Sequence, residues 1–293
     1  MNLRRHIAER LAGYGTVVAW GAGSSGRAAL RKWLPRDRVA SVIDGNPDKA
    51  GTVLEGRTVH GPEDLSALNP DLVVICSDAY QEILEQLDHL GYRGTAVHMF
   101  DLFPADDQGP SEFDKLRIDI ARQIDRNPLS YLLFRPQILV NVTYRLTRQC
   151  AGRPVLLPLY AVMRVLHTLV CVFFSISLPP SVRAGGGLLF PHFGTVVFHP
   201  AVRLGRCCTI YHCATIGSND GGGVPELADF VTVYTGALVL GATRLGPHTR
   251  VGAQTMLSDF VCEGRATVVG RPPRVARAFG HPQGTASQES PGP

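Results

Sequence analysis

The 293-residue chain contains 45% hydrophobic and 18% charged residues, a composition typical of folded globular domains and not of disordered chains. The formal net charge of +4 and the scattered arginines predict no nucleic-acid partner. The length accommodates two modules and a connector. Seven cysteines without a CxxC pair, and an N-terminus that carries Arg, His and Glu, predict a reduced, cytoplasmic protein.

The first hundred residues alternate short apolar runs with helical patterns. The runs TVVAWGAG, VASVID, LVVICS and AVHMF are separated mainly by segments with helical spacing. Alternation at this pace is typical of a parallel sheet with crossover helices. We therefore expect an α/β, Rossmann-like domain over residues 1–104.

A glycine motif follows the first of these runs. Gly21, Gly23 and Gly26 fall between a predicted strand and a predicted helix, which is the context that a phosphate-binding GxGxxG needs. Asp44 ends the next predicted strand. Its spacing along the sequence from the glycine motif is about that at which an acidic residue can bind a ribose hydroxyl. These four residues are the candidate nucleotide-binding site, and a purely structural domain is the alternative.

The surrounding segment resembles the N-terminal sugar-nucleotide-binding domain of bacterial acetyltransferases that modify amino-sugar nucleotides. The resemblance is carried by VIDGNPDKAGTVLEGRTVHGPEDL and by VVICSDAYQEILEQLDHLGY. It implies a nucleotide or nucleotide-sugar ligand for the N-terminal domain, which is too short for a full dinucleotide fold.

A linker and a helical connector are expected over residues 105–180. PADDQGPSE has the composition of a linker, and the residues after it show helical spacing. The apolar run from Val155 to Ile176 is long enough to suggest a membrane span. Arg164 and His167 near its middle favour helices packed in an oligomer, so no membrane span is expected.

A six-residue period governs the second half of the chain. Bulky apolar residues recur at this spacing around one insert, SNDGGGVPE, and small or β-branched residues, the last being Val261, follow most of them by four positions. Three such segments make one triangular coil with an inward aliphatic side chain on each strand. We expect a parallel β-helix over residues 181–277 and a disordered tail over residues 278–293. The expected inward residues are Phe198, Leu204, Ile210, Ile216, Leu227, Val233, Val239, Leu245, Val251 and Leu257.

This second half resembles the left-handed β-helix acyltransferases, and among them the serine acetyltransferase branch. The matching blocks are DIARQIDRNP, GGLLFPHFGTVVFHPAVRLGRCCTIYHCATIG, GVPELADFVTVYTGALVLG and VVGRPPRVAR. The resemblance implies a left-handed parallel β-helix, a homotrimer, acetyl-CoA as co-substrate in a groove between neighbouring β-helices, and a small-molecule hydroxyl or amine acceptor.

The resemblance also implies roles for particular residues. His192 stands where these enzymes carry a general base, and an imidazole near neutrality suits the activation of a weakly nucleophilic hydroxyl. The alternative for His192 is a structural histidine at a domain corner. No metal site is predicted. The implied cofactor-binding residues are Gly236, Ala237, Gly252, Ala253, Gly270, Arg271 and Arg274.

Three departures from the serine enzymes concern the acceptor. Asn127, Pro191 and Ser177 stand where the serine enzymes carry acids, so we expect free serine to bind poorly. The leading hypothesis is an acetyl-CoA-dependent O-acetyltransferase. The alternatives are an N-acetyltransferase of an amino-sugar nucleotide, a serine O-acetyltransferase proper and a catalytically idle binding scaffold.

Overall fold

The structure is a computed structural model. It describes residues 3–77, 79–104, 110–123 and 135–270, together with the backbone of residues 274–278. An α/β region, a set of helices and a β-helix follow one another along the chain. Most of the predicted linker, and residues 279–293 of the predicted tail, lie outside the described residues.

The α/β region is built on a six-stranded sheet of order β3-β4-β2-β1-β5-β6. Neighbouring strands are parallel except β3 and β4, an antiparallel hairpin that the alternation of patterns did not predict. The strands are β1 Val17–Trp20, β2 Val39–Ile43, β3 Val53–Leu54, β4 Arg57–His60, β5 Leu72–Ile75 and β6 Thr95–His98.

Helices cover both faces of this sheet. Helices α1 (Leu3–Leu11) and α2 (Ser24–Lys32) pack on one face, and α3 (Leu65–Leu68) and α4 (Tyr80–His89) pack on the other. Strands β1 and β5 are buried along their whole length, as expected for parallel strands covered on both sides.

In the described parts of the connector, three α-helices lie between the α/β region and the β-helix. They are α5 (Glu112–Gln123), α6 (Ile138–Cys150) and α7 (Leu157–Phe174), and α6 contacts both of the others. Helix α7 fully buries His167, whose ring nitrogens lie 2.8 Å from Thr143 Oγ1 and 2.7 Å from the Leu178 carbonyl oxygen.

Most of α7 faces outward and is apolar. By length and hydropathy alone, Pro154–Phe174 would suffice to cross a membrane, but one such helix is weak evidence and does not indicate a span. The exposed apolar residues on and beside it are Val155, Leu157, Leu159, Val162, Val165, Leu166, Leu169, Val172 and Phe173.

The β-helix consists of three five-stranded sheets. All neighbouring strands are parallel except the last pair, β20 and β21. The first sheet contains β7 Ile176–Ser177, β9 Val196–Phe198, β12 Thr215–Gly217, β15 Leu238–Leu240 and β18 Met256–Ser258. The second contains β8 Arg183–Ala184, β10 Arg203–Leu204, β13 Glu226–Leu227, β16 Arg244–Leu245 and β19 Val261–Cys262. The third contains β11 Thr209–Ile210, β14 Thr232–Val233, β17 Arg250–Val251, β20 Ala266–Val269 and β21 Arg274–Ala278.

The structure confirms that all ten expected inward residues are buried, so the second half is a parallel β-helix. The six-residue period fails at its end, where it specifies Glu263 as the inward residue after Leu257. Leu245 pairs with Cys262 rather than with the residue that the six-residue period specifies, so Cys262 is buried and Val261 is 60% exposed. The last coil is therefore one residue shorter than the period. The first strand, β7, begins at Ile176, before the expected start of the β-helix.

Candidate active site

One corner of the β-helix stacks residues from successive coils into columns. The strands β11, β14, β17 and β20 pair in register, so the residues that follow them lie above one another. We call this turn, residues 211–213, 234–236, 252–254 and 269–270, the open corner. One of its columns consists of His212, Thr235, Ala253 and Gly270.

His192 lies at the start of the open corner. Leu189 forms a parallel bridge with Thr209, and this register puts His192 opposite His212 of the next coil. The two imidazole centroids are 5.7 Å apart with nearly perpendicular rings, and the Tyr211 ring lies 6.2 Å from His192. Because its side chain is exposed, His192 is accessible to a substrate at this end of the column.

Sequence reasoning did not identify the aromatic side chains beside His192. Tyr211 and Tyr234 stack with centroids 5.1 Å apart on consecutive coils. The signal in the sequence is positional, because each tyrosine directly follows an inward residue of the repeat. His212, opposite His192 on the next coil, has a buried Nδ1 without a hydrogen-bond partner among the described residues.

The predicted cofactor residues divide by exposure. Ala253 and Gly270 are exposed and Gly252 is half-buried along the open corner. Ala237 is fully buried in the core of the β-helix, so it presents no accessible surface to a ligand. Gly236 has a φ of +72°, and a Cβ placed on it would lie 3.4 Å from the side chain of the next coil. A glycine there leaves a gap in the surface of the corner.

Other predicted residues lie outside what the structure describes. Arg271 and Asn127 are outside the described residues, and only the backbone of Arg274, in β21, is described. Among the described side chains, no group of three or more His, Cys, Asp or Glu residues is arranged to hold a metal ion.

A buried carboxylate holds the segment that precedes His192. Asp119 of α5 is fully buried, and its Oδ1 accepts hydrogen bonds from the Gly187 and Leu188 amides at 2.6 and 2.9 Å. Arg145 of α6 donates from Nε to Asp119 Oδ2 at 2.9 Å and from Nη2 to the Gly185 carbonyl at 2.6 Å. Burial opposes the charge, but the adjacent carboxylate raises the pKa of Arg145 above its usual range. The opposite charges of Asp119 and Arg145 compensate each other. Together the two side chains hold the backbone from Gly185 to Leu188 in place.

Amide side chains hold the next residues of the same segment. Asn141 of α6 donates to the Leu188 carbonyl at 2.9 Å, and Gln137 donates to the Phe190 and Pro191 carbonyls at 3.2 Å. The helices thus reach the residue directly before His192. These contacts join residues distant in sequence, so a motif search could not find them.

The glycine motif of the α/β region has mixed roles. Gly21 has a φ of +118°, and a Cβ on Gly26 would lie 1.7 Å from the Gly21 carbonyl oxygen, so both glycines are required by the turn itself. A Cβ on Gly23 would meet nothing within 4 Å. Of the three glycines, Gly23 is therefore the one with free space beside its Cα into which a ligand could approach closely.

Asp44 is engaged by the protein. Its carboxylate accepts hydrogen bonds from the Ala22 and Asn46 amides at 2.6 and 3.0 Å, and Lys49 Nζ lies 3.1 Å away. Burial opposes ionisation, but these donors lower the pKa of Asp44. Its observed contacts hold the glycine turn, whereas contact with a ribose remains a prediction.

Comparisons with known proteins match the two halves of the chain separately. The family described as C2185-like, N-terminal, matches residues 13–97. Serine acetyltransferase of Synechococcus elongatus is 32% identical over 154 residues, covering 51% of this chain and 61% of that protein. Among solved structures, soybean serine acetyltransferase apoenzyme (26% identity, TM-score 0.48) covers 58% of this chain and 71% of its own, and the Neisseria gonorrhoeae enzyme (22%, TM-score 0.48) covers 62% and 72%.

A further relative decides the family. Serine acetyltransferase of Helicobacter pylori strain J99 is 32% identical over 148 residues, which are 50% of this chain and 84% of that protein. The match therefore extends over most of the relative. On this similarity, the chain belongs to the serine acetyltransferase family and is an acyl-CoA-dependent acyltransferase.

Proposed function

We propose that His192 is the general base of an acetyl-CoA-dependent O-acetyltransferase. It removes the proton from an acceptor hydroxyl while the oxygen attacks the thioester carbonyl; a C–O bond forms, the C–S bond breaks, and coenzyme A leaves as a thiolate that takes up a proton. The observation that carries this proposal is the position of the exposed His192 ring, 5.7 Å from His212 at the start of the open corner.

The open corner is the proposed site of the coenzyme A arm. Gly236, Gly252, Ala253 and Gly270 present little side-chain bulk, and Ala237 packs beneath them in the core of the β-helix. Arg271 and Arg274 are proposed to meet the phosphates. Strands spaced about 4.8 Å apart put His192 and Gly270, four coils apart, at roughly 19 Å, which gives an extended ligand a continuous track.

We further propose a left-handed β-helix that assembles as a cytoplasmic homotrimer, with the open corner in the groove between copies. Its exposed small residues, and the exposed apolar face of α7, support burial against another copy. The α/β region is proposed to be Rossmann-like and to bind a nucleotide or nucleotide-sugar through the turn that contains Gly21, Gly23 and Gly26, with Asp44 holding that turn.

The proposed acceptor is a hydroxyl on a molecule other than free serine. Pro191 offers no carboxylate beside His192, and Ser177 pairs with Val197 at the start of the β-helix. An ammonium group that lacks its carboxylate loses a charge-assisted hydrogen bond.

The test is acetyl transfer by His192→Gln, followed through thiol release from acetyl-CoA over a panel of hydroxyl acceptors. We expect kcat to fall about a hundredfold or more while the Kd for acetyl-CoA is unchanged. His199→Gln is the matched control, because His199 Nδ1 only accepts a hydrogen bond from Ala201 in a turn. Turnover by His192→Gln equal to that of the control would leave His192 as a structural corner residue.

A further inference from the structure

A cavity of about 340 Å³ lies where the α/β region meets α5 and the start of the β-helix. It opens at the carboxyl ends of β1, β5 and β6, where the order of strands reverses around β1. Such reversal points are where parallel α/β sheets bind ligands. Its described walls include Ser24, Ser25, Trp33, Phe100, Arg122 and Leu189.

The charged side chains on the described walls of this cavity are basic. Its described walls include Arg122 and Arg135 and no acidic side chain. Arg122 donates to the Gly187 and Cys208 carbonyls at 2.8 and 3.0 Å and to a threonine hydroxyl at 2.8 Å, all of them neutral acceptors. Within the described part of the chain its charge therefore has no carboxylate counter-ion. An anion in the cavity would supply one.

The opposite wall also offers donors. Ser24 and Ser25 are the first residues of the nine-residue helix α2, and the residue before it contributes no side-chain cap. The amides of the first turn are thus without a side-chain acceptor at the cavity mouth. Trp33 and Phe100 add flat apolar surface. Cationic donors beside aromatic rings fit a ligand that has both a phosphate and a planar ring.

The size of the cavity narrows the ligand further. Ligand cavities span about 300–1,000 Å³, so this one lies near the lower end of that range. A nucleoside phosphate fits this size better than a dinucleotide does. His98 contributes no competing charge, because burial and the nearby Arg122 lower its pKa to about 3.

Helix α5 joins the cavity to the segment that contains His192. Arg122 and Gln123 line the cavity, and they also donate to the carbonyls of Gly187 and Leu188. Leu189 is itself part of the wall. A ligand that binds Arg122 therefore contacts a side chain that is hydrogen-bonded to Gly187, five residues before His192.

We propose that this cavity binds a nucleoside phosphate between Arg122 and the first turn of α2, and that the bound ligand holds residues 187–192 in their working position. The binding step rests on the nucleotide ligand proposed above for the α/β region, for which it specifies the site, and it stands apart from the acetyl transfer. The effect on turnover rests on the proposed role of His192.

Calorimetric titration of the full chain tests the binding step. UMP and AMP are the nucleotide probes, and inorganic phosphate and uridine are the separate arms. We expect saturable binding of at least one nucleotide, at least tenfold tighter than phosphate or the nucleoside alone. No binding of either nucleotide, or phosphate binding as tightly as UMP and AMP, would overturn the proposal.

A pair of variants locates the site. Ser25→Asp puts a negative charge on the cavity wall at the start of α2, where an acid favours the helix, and Ser25→Asn is its neutral control. We expect the aspartate variant to bind the nucleotide at least tenfold more weakly and the asparagine variant to bind within about threefold of the unaltered chain, a difference of about 1.4 kcal/mol per factor of ten. Equal affinity in the two variants would place the ligand elsewhere.

Hydrogen exchange separates the coupling from the chemistry. With the nucleotide bound, we expect slower amide exchange over residues 187–192, and this readout does not depend on acetyl transfer. Unchanged exchange at saturating nucleotide would overturn the coupling, even if His192 proves to be the base. Slower exchange without acetyl transfer would refute the proposed function and leave the binding site intact.

Discussion

Two corners of the β-helix have the same backbone conformation but differ in whether another part of the protein covers them. The open corner has left-handed residues at Cys213, Gly236 and Gln254, with φ between +56° and +72°. The corner before it, here called the docked corner (residues 205–207, 228–230, 246–248 and 263–265), places Cys207, Phe230, His248 and Arg265 in the same conformation, with φ between +47° and +61°.

The docked corner is covered by the α/β region. His248 stacks between Tyr80 and Phe230, with ring centroids 4.5 and 4.6 Å apart, and Phe230 meets His98 edge-on at 5.0 Å. In the open corner, Gly236 and Gln254 occupy the positions that Phe230 and His248 have in the docked corner. The comparison teaches that the coil fixes only the backbone, and that side chains at one position per turn decide whether a corner binds another domain or remains accessible.

The largest expected effect concerns the buried pair that holds the segment leading into the open corner. Asp119→Asn removes the carboxylate 2.9 Å from the fully buried Arg145 guanidinium and leaves Glu112, at 3.0 Å, as its remaining described carboxylate, so we expect a loss of about 3 kcal/mol in the free energy of unfolding. Urea denaturation measures it. Asp88→Asn, at an exposed pair 3.8 Å from Arg93, is the control and should change stability by less than about 0.5 kcal/mol. Equal losses would mean that the pair does not hold the segment.

The next effect tests the acceptor that the open corner takes. We expect kcat/KM for L-serine to be roughly tenfold to a hundredfold lower, per missing acid, than for a preferred larger hydroxyl acceptor. Pro191→Asp should raise kcat/KM for L-serine by about tenfold, and Pro191→Asn should not. Steady-state kinetics with acetyl-CoA decide the matter. Ordinary enzymatic efficiency of the unaltered chain with L-serine would make it a serine O-acetyltransferase proper.

A smaller expected effect concerns Gly236, whose lack of a side chain is proposed to make room for coenzyme A at the open corner. Gly236→Ala adds a methyl group at a φ of +72°, and we expect the KM for acetyl-CoA to rise about tenfold, or 1.4 kcal/mol. Gly152→Ala is the matched control, with a φ of +73° and no atom within 4 Å of its Cβ. Both variants should lose about 1–2 kcal/mol of stability. A similar KM in both would remove Gly236 from the cofactor site.

The smallest effect concerns the docked corner and pH. Burial and the nearby arginines lower the pKa of His248 to about 4, so the folded state resists a proton that the unfolded state accepts below about pH 6.5. His248 therefore reduces stability as the pH falls from about 6.5 to 4. His248→Phe keeps a ring, as Phe230 has at the equivalent position, and should weaken this pH dependence by about 1 kcal/mol at pH 5.5. Parallel pH profiles of unfolding free energy for the two proteins would contradict it.

The sequence predicted the residues that repeat and missed the contacts that do not. Inward positions such as Val233 and Val251 follow from a period because every coil presents the same core. Continued beyond Leu257, the period specifies Glu263 as the next inward residue, but the shorter last coil puts Cys262 in that place, and no local signal marks a one-residue deletion. Position in the repeat cannot tell a corner that binds a domain from one that stays accessible.

The candidate site divides in the same way. His192 was found through a resemblance, because the residues around it keep their order along the chain. Asp119 and Arg145, which hold its segment, are 26 residues apart and meet only once α5 and α6 pack together. The spacing of Asp44 suggested a ribose contact, whereas the folded turn places two backbone amides on its carboxylate.

The final strand has a consequence for the behaviour of the protein at high concentration. A parallel β-helix ends in unpaired strand edges, which can template end-to-end stacking and fibre growth. Strand β21 runs antiparallel along β20 and so closes the edge of one of the three sheets. We therefore expect that a chain shortened before Arg274 would expose the backbone donors and acceptors of β20 and would stack end to end more readily than the full chain.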